Sequence, residues 1–157
     1  MRVAKLMAVA LLAAAACSRT VKVQTDPGSG KVDVDVGRAG ATEGWSGTLN
    51  AVGGSGITGT ARGTTGHDMT HVVVNVMGAQ AGARLPWHVH EGKCGDASPP
   101  IVGPPTAYPP LVVGADGRAT AEAHLSMDLN EAKNYIVNVH ASPTNLGTIV
   151  SCGDFND

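Results

Sequence analysis

Two histidines stand at positions where their imidazole side chains could share a metal ion, and a third ends a candidate strand. His88 and His90 are separated by one residue, and side chains two apart on a β-strand face the same side. His140 ends the apolar run YIVNVH, where a ligand at a strand terminus would lie. Imidazole binds copper and zinc alike, so the pattern predicts a metal site without naming the metal. Exposed strand histidines, or a hydrogen-bonded core histidine, are the alternatives.

The segments around these histidines have the pattern of an all-β domain. Short apolar or alternating runs are separated by Gly, Pro, Asn and Asp, which predicts a sandwich or flattened barrel. No window is a convincing amphipathic helix, and the most helix-like stretch, residues 127–133, has only one to two turns. The candidate strands are residues 46–52, 56–63, 71–77, 84–90, 118–125, 135–140 and 147–151.

The N-terminus is similar to an export signal. Arg2 and Lys5 precede an apolar run that stops at Cys17, whereas a membrane-spanning helix needs roughly 20 apolar residues. The stretch LAAAAC at residues 12–17 resembles a bacterial lipobox, in which the cysteine is diacylated and becomes the mature N-terminus. We predict a lipoprotein signal peptide over residues 1–16 and lipidation at Cys17. An ordinary signal peptide with a chance cysteine is the alternative.

Two regions follow the signal. Residues 17–44 are interpreted as the lipidated cysteine and a flexible tether, because no large apolar residue is available for burial. A hairpin around the turn sequence DPGSG is the alternative for this region. Residues 45–157 are enough for one domain with one core. That core must consist mainly of Val, Leu, Ile and Ala, because the only aromatic residues are Trp45, Trp87, Tyr108, Tyr135 and Phe155.

The cysteines and the charge bound the compartment and the partners. If Cys17 is lipidated, Cys94 and Cys152 are left and can pair in an oxidising compartment. Two free thiols or a thiolate metal site are alternatives that suit an exported protein less well. From Cys17 onward, nine Lys and Arg stand against thirteen Asp and Glu, a net charge of −4. This balance argues against nucleic acid as a partner.

Four ordered segments resemble copper/zinc superoxide dismutases of the bacterial periplasmic type. WHVHEGKC at residues 87–94 is similar to their copper-binding strand, and YPPLVVGADGRA at residues 108–119 to their Leu-Pro-x-Leu…Asp-Gly-x-Ala segment. VHA followed by SCG is similar to their last copper histidine and second cysteine. LN and GGSGITGT, between residues 49 and 60, are similar to their first hairpin.

The resemblance implies a Greek-key β-sandwich of about seven or eight antiparallel strands. It also implies that His88, His90 and His140 are copper ligands and that Cys94 and Cys152 form a disulfide.

Two departures from that family affect the expected chemistry. Its long loop carries the histidine that bridges copper and zinc together with the zinc ligands, but residues 95–107 here contain no histidine. The resemblance therefore implies copper without zinc. An arginine of the family that attracts superoxide corresponds to Ile149, and no Lys or Arg follows Lys133. Residues 45–157 have five basic and nine acidic residues, so the overall field does not attract an anion.

The remaining polar candidates have no counterpart among the family's ligands. His124 lies in the middle of a candidate strand and is interpreted as an ordinary strand residue. Glu91 follows the ligand strand and is interpreted as a structural acceptor. The candidates for an additional metal ligand are His67, His71, Asp68 and Asp96.

Together these observations predict an exported lipoprotein that binds one copper ion and has weak or absent superoxide dismutation, with no catalytic residue assigned. Its partners would be copper or superoxide, with a lipid anchor in the cell envelope. Ser18 after the lipidated cysteine favours the outer membrane. The alternatives are an active copper-only dismutase with a fourth ligand, an envelope copper buffer, a hydrolytic zinc site without an evident general base, and a metal-free structural domain.

Overall fold

The computed structural model of the protein describes residues 19–25, 32–38 and 42–157. The chain divides into two compact units, Met1–Ala39 and Gly40–Asp157. The predicted signal peptide and Cys17 lie outside the described residues.

The first unit contains an antiparallel pair of strands within the segment interpreted as a tether. β1 (Arg19–Thr25) pairs with β2 (Val32–Arg38) in continuous register. This pairing agrees with the hairpin alternative for the two strands, while the turn sequence DPGSG lies outside the described residues. Alternating Val residues favour extended backbone in both strands.

The second unit is built almost entirely of strands. Its described residues contain no α-helix and one short 3-10 helix, Pro105–Ala107, and residues 127–133 form turns. No helix among the described residues is long and apolar enough to cross a membrane. The strands are β3 (Glu43–Ala51), β4 (Thr58–Gly66), β5 (Met69–Met77), β6 (Arg84–Leu85), β7 (Trp87–Glu91), β8 (Leu111–Val112), β9 (Ala119–Leu125), β10 (Tyr135–Ser142) and β11 (Asn145–Phe155).

Seven of these strands form one curled antiparallel sheet, a half-barrel. Their order is β7-β10-β11-β3-β4-β5-β9, and β6 and β8 form a separate pair. Since β9 follows β5 in space and β11 lies beside β3, the connections cross over as in a Greek key. The predicted all-β fold is confirmed.

The core follows the period-two pattern of the strands. In β9 the residues alternate strictly between buried and exposed, and in β5 Val72, Val74 and Val76 are buried. All five aromatic side chains are buried as well, and Trp45 packs edge-on against Tyr135 with ring centroids 5.4 Å apart. The core therefore combines the expected aliphatic residues with a complete set of aromatic residues.

Most strand boundaries differ from the predictions by one to four residues, and a few of the differences have a clear cause or consequence. The predicted strand over residues 84–90 is interrupted at Pro86, which has no backbone N–H to donate. β3 begins at Glu43, before the predicted domain boundary at residue 45, and β11 continues to Phe155. β8 was not predicted, because two residues carry too little periodicity to be recognised.

One close approach between strands requires glycine. A Cβ atom at Gly153 in β11 would overlap the carbonyl oxygen of Thr48 in β3. In the same strand, a Cβ atom at Gly147 would meet nothing within 4 Å. Comparing alanine at these two positions therefore distinguishes the steric overlap at Gly153 from the general effect of replacing a glycine in a strand.

We expect Gly153→Ala to lower the free energy of unfolding by about 1–3 kcal/mol, because the strands must move apart to admit the methyl group. Gly147→Ala should be neutral or slightly stabilising, because alanine loses less backbone entropy on folding. Urea unfolding of both variants measures the difference, and equal midpoints would contradict the proposed close approach.

Candidate metal centre

Two adjacent antiparallel strands, β7 and β10, carry the three histidines. His88 and His90 point to the same face of β7, while Trp87 and Val89 point into the apolar core. Across the strand pair, His90 lies opposite Ile136. The histidines are thus on the face of the sheet away from the core, and all three are nevertheless buried.

His140 reaches the other two histidines from an irregular part of β10. The register of β10 against β11 shifts at this residue, as at a β-bulge, which re-aims a side chain relative to a regular strand. Its backbone N–H donates to the carbonyl oxygen of Pro86 at 2.8 Å, which fixes this part of β10 beside the start of β7.

The imidazoles bring three ring nitrogens together. Ligand atoms of His88, His90 and His140 all lie within 4.8 Å of one another. Nδ1 of His88 is 3.1 Å from Nε2 of His140. Two ligands bonded to one metal at roughly 2.0–2.1 Å stand about 3.3–3.6 Å apart in tetrahedral or trigonal geometry. Small side-chain adjustments would therefore place one ion between the three rings.

Backbone carbonyls fix the orientation of two of the rings. His90 Nδ1 is 2.8 Å from the carbonyl oxygen of Pro99, and His140 Nδ1 is 2.7 Å from that of Leu146. A carbonyl only accepts, so each Nδ1 donates its proton and each Nε2 keeps a lone pair. This is the usual arrangement around a metal-binding histidine, whose second nitrogen is held by an acceptor.

The lone pair on Nε2 of His90 has no protein partner among the described residues. This nitrogen is buried and makes no hydrogen bond. Leaving a buried polar atom without a partner is unfavourable, and such atoms are uncommon in folded proteins. A metal ion bound between the rings would satisfy this nitrogen, so the residues present fit a metal.

Burial lowers the pKa of all three imidazoles. Desolvation disfavours the charged ring and, with charge repulsion from His140 and then His90, lowers the pKa of His88 from 6.5 to about 4. Hydrogen bonds to carbonyls act in the opposite direction on His90 and His140, but desolvation is larger in both. The three rings are thus neutral near pH 7, the form that binds metal.

The segment after β7, residues 92–108, covers one side of the site and is called the covering segment. Glu91 N–H donates to the carbonyl oxygen of Pro100 at 3.0 Å, and Val102 N–H donates to that of Val89 at 2.9 Å. These bonds occupy the free edge of β7. Farther along, the Tyr108 hydroxyl donates to Val102 and its ring packs edge-on against His88, with centroids 5.3 Å apart.

A disulfide joins this segment to β11. Cys94 and Cys152 are bonded, with Cα atoms 6.0 Å apart. Cys152 lies opposite Asn138 of β10, beside the strand that carries His140. The predicted pairing of these cysteines is confirmed, and it anchors the chain five residues before Pro99, whose carbonyl orients His90.

None of the other predicted candidates joins the three histidines. Among the described residues, the cluster contains His88, His90 and His140 and no further His, Cys, Asp or Glu. Asp96 instead accepts the Lys93 N–H at 2.7 Å.

The other polar candidates lie in separate places. His67 and Asp68 form the exposed turn between β4 and β5. His71 lies on β5 beside His124 of β9. Glu91 forms an ion pair with Lys133, with Oε2 and Nζ 2.7 Å apart, as expected of a structural acceptor.

Sequence reasoning found the three imidazoles but missed the groups that orient them. The carbonyls of Pro99 and Leu146 hold two of the rings, yet any residue type could supply such an oxygen. Only Tyr108, near the end of the covering segment, could have been suspected, as one of few aromatic residues.

We expect the metal-free protein to lose stability as the pH falls from 6.5 towards 4. Because the folded-state pKa of His88 lies below its unfolded value, the unfolded chain binds more protons in this window. His88→Gln should reduce the slope of stability against pH relative to wild type, whereas the exposed-site variant His67→Gln should not. Denaturant midpoints across this pH range measure the slopes. All three proteins have the same carboxylates, so the effect of protonating the carboxylates is common to them and drops out of the comparison.

We expect removal of the disulfide in a Cys94→Ser/Cys152→Ser variant to have two effects. The free energy of unfolding should fall by about 2–5 kcal/mol, because the unfolded chain gains freedom. Metal affinity should also fall, since the segment that carries Pro99 is no longer anchored near His90. Calorimetric titration with metal at a temperature where the variant is folded tests the second effect, and unchanged affinity would contradict it.

No protein-family model matches the chain, and no curated protein matches it. The capacity to hold a metal therefore rests on the geometry of His88, His90 and His140.

Proposed function

We propose that this protein binds one copper ion through His88, His90 and His140 and has weak or absent superoxide dismutase activity. The observation that carries the proposal is the buried, unpartnered Nε2 of His90, which faces a cluster of two further imidazoles. Burial lowers the pKa of His90, which disfavours a proton on this nitrogen and leaves its lone pair available for a metal ion.

Copper is favoured over zinc by the resemblance to the superoxide dismutases. Three imidazoles suit Cu(I) in trigonal geometry, whereas Cu(II) would need water or a fourth protein donor. The antiparallel sheet and the disulfide of Cys94 with Cys152 are the features that such a relationship would require. Zinc would need a fourth ligand such as water, and the segment 95–107 offers no histidine.

The surroundings of the site support weak rather than fast turnover. A copper ion supplies one-electron chemistry with superoxide, and turnover also needs a proton for the departing peroxide. Two of the three rings already commit their remaining N–H to carbonyl oxygens. The side chains of His88, His90 and His140 are only 7%, 5% and 5% exposed, so an anion has little access to them.

Charge near the site does not attract superoxide. Ile149 is the residue of β11 that lies opposite His140. In the superoxide dismutases that the sequence resembles, an arginine stands at this position. Electrostatic steering, of which superoxide dismutase is the well-known example, needs positive charge at the entrance. The domain has a net charge of −4 over residues 45–157, which opposes the approach of an anion.

The proposal extends to export and lipidation at Cys17, with the domain held in the cell envelope. The disulfide supports this location, because disulfides persist in oxidising compartments. A protein held there could buffer copper or exchange it with another envelope protein. Mass spectrometry of the membrane fraction, for wild type and Cys17→Ala, tests for the diacylated cysteine.

We expect the chain without its signal peptide to bind one copper ion at the buried histidines, and we expect His90→Ala to bind one copper ion fewer than wild type. Removing one of three imidazoles leaves too few donors to hold the ion. The exposed-site variant His67→Ala is the matched control and should bind as wild type does. Metal analysis gives the stoichiometry, and electron paramagnetic resonance of the Cu(II) form tests for nitrogen ligands.

Superoxide consumption by the copper-loaded chain separates the remaining functions. Copper binding without consumption supports the proposed binding protein. Consumption at the rate of an efficient enzyme would show an active copper-only dismutase and overturn the assignment of weak activity. Absence of stoichiometric copper binding, in a folded protein, would overturn the metal-binding proposal as a whole.

A further inference from the structure

A second cluster of potential ligands lies on the exposed face of the sheet, on strands β5 and β9. His71 and His124 are directly opposite each other in the antiparallel register. Glu122 is two residues before His124, so both side chains leave β9 on the same face. Ligand atoms of the three residues lie within 4.8 Å of one another.

We propose that His71, Glu122 and His124 form a surface site for a divalent transition-metal ion such as Zn²⁺, separate from the buried histidines. Two imidazoles and one carboxylate are a donor set that zinc accepts, with water completing the coordination. The residues come from two strands whose spacing is fixed by backbone hydrogen bonds, so the ligands are already held at the required separation.

The contact between His71 and Glu122 is slightly shorter than the separation of two ligands on one metal ion. Nε2 of His71 is 3.1 Å from Oε2 of Glu122. Two ligands at roughly 2.0–2.2 Å from one tetrahedral ion are about 3.3–3.5 Å apart, so an ion can replace the hydrogen between them with little movement. The ion would replace this hydrogen bond, and the neutral His71 ring would then carry its proton on Nδ1.

The two rings need one small rearrangement. In the absence of metal they are stacked, with centroids 4.4 Å apart and an angle of 7° between their planes. A metal ion lies in the plane of each imidazole that binds it, and parallel planes do not meet. The side chain of His71 is 38% exposed, and the outer torsion of histidine has broad minima, so its ring can rotate towards a shared ion.

The position of the site gives it a structural consequence. β9 is the last strand in the order of the sheet, and β5 is its only neighbour there. An ion that bridges the two strands would bind the folded sheet and not the unfolded chain. Zn²⁺ should therefore raise the unfolding temperature through this site as well as through any binding at the buried histidines.

Zn²⁺ titration of the isotopically labelled chain, followed by the imidazole resonances, tests the proposal. We expect the resonances of His71 and His124 to shift, and that of the exposed His67 to stay in place. Because each ring is observed separately, the result does not depend on whether the buried histidines also bind metal. Failure of the proposed function would appear instead as the absence of metal-induced shifts in the resonances of His88, His90 and His140.

Equilibrium dialysis against Zn²⁺ measures the number of ions bound per chain. His71→Gln/His124→Gln should hold one ion fewer than wild type and lose part of the thermal shift, and Glu122→Gln should bind that ion more weakly. His67→Gln is the matched control and should equal wild type. His90→Ala, which alters the buried cluster, should keep the surface ion. Equal ion counts in wild type and the double variant, or unshifted resonances of both histidines, would overturn the proposal.

Discussion

The antiparallel register between β7 and β10 is the constraint on which the candidate metal centre depends. With His90 opposite Ile136, the histidines of β7 face the side of the sheet that carries His140. A slip of one residue would turn these imidazoles toward the core and turn Trp87 and Val89 out of it. The burial of apolar side chains on one face therefore fixes the direction of the metal ligands on the other.

The covering segment after β7 converts this arrangement into a buried site. It occupies the free edge of β7, contributes the Pro99 carbonyl to His90, and is tied to β11 by the disulfide of Cys94 with Cys152. The same burial that lowers the pKa of the imidazoles keeps them neutral and restricts their exposure. The neutral state of the rings, which metal binding requires, and their poor access for an anion thus have a single physical cause, the removal of water from around the rings.

The two histidine clusters show how burial changes what a set of ligands can do. The cluster of β7 and β10 has a desolvated nitrogen without a partner, which a metal ion would satisfy. At the cluster of β5 and β9 the side chains are in contact with water, and His71 already has Glu122 as a partner. An ion there must compete with water and a proton, so its binding depends more on donor geometry than on relief of an unsatisfied atom.

The sequence by itself determined the all-β class, most strand positions and the common face of His88 and His90, because alternation along a strand follows from covalent geometry. It also identified His140 as a candidate, although its encounter with His88 depends on long-range strand pairing. Only the tertiary structure decided that Pro99 and Leu146 orient the rings, since a carbonyl oxygen has no signature in the sequence. The tertiary structure also decided the pairing of His71 with His124, which no pattern in the sequence indicated. Their cross-strand register is set by packing of the whole sheet, and no local pattern records it.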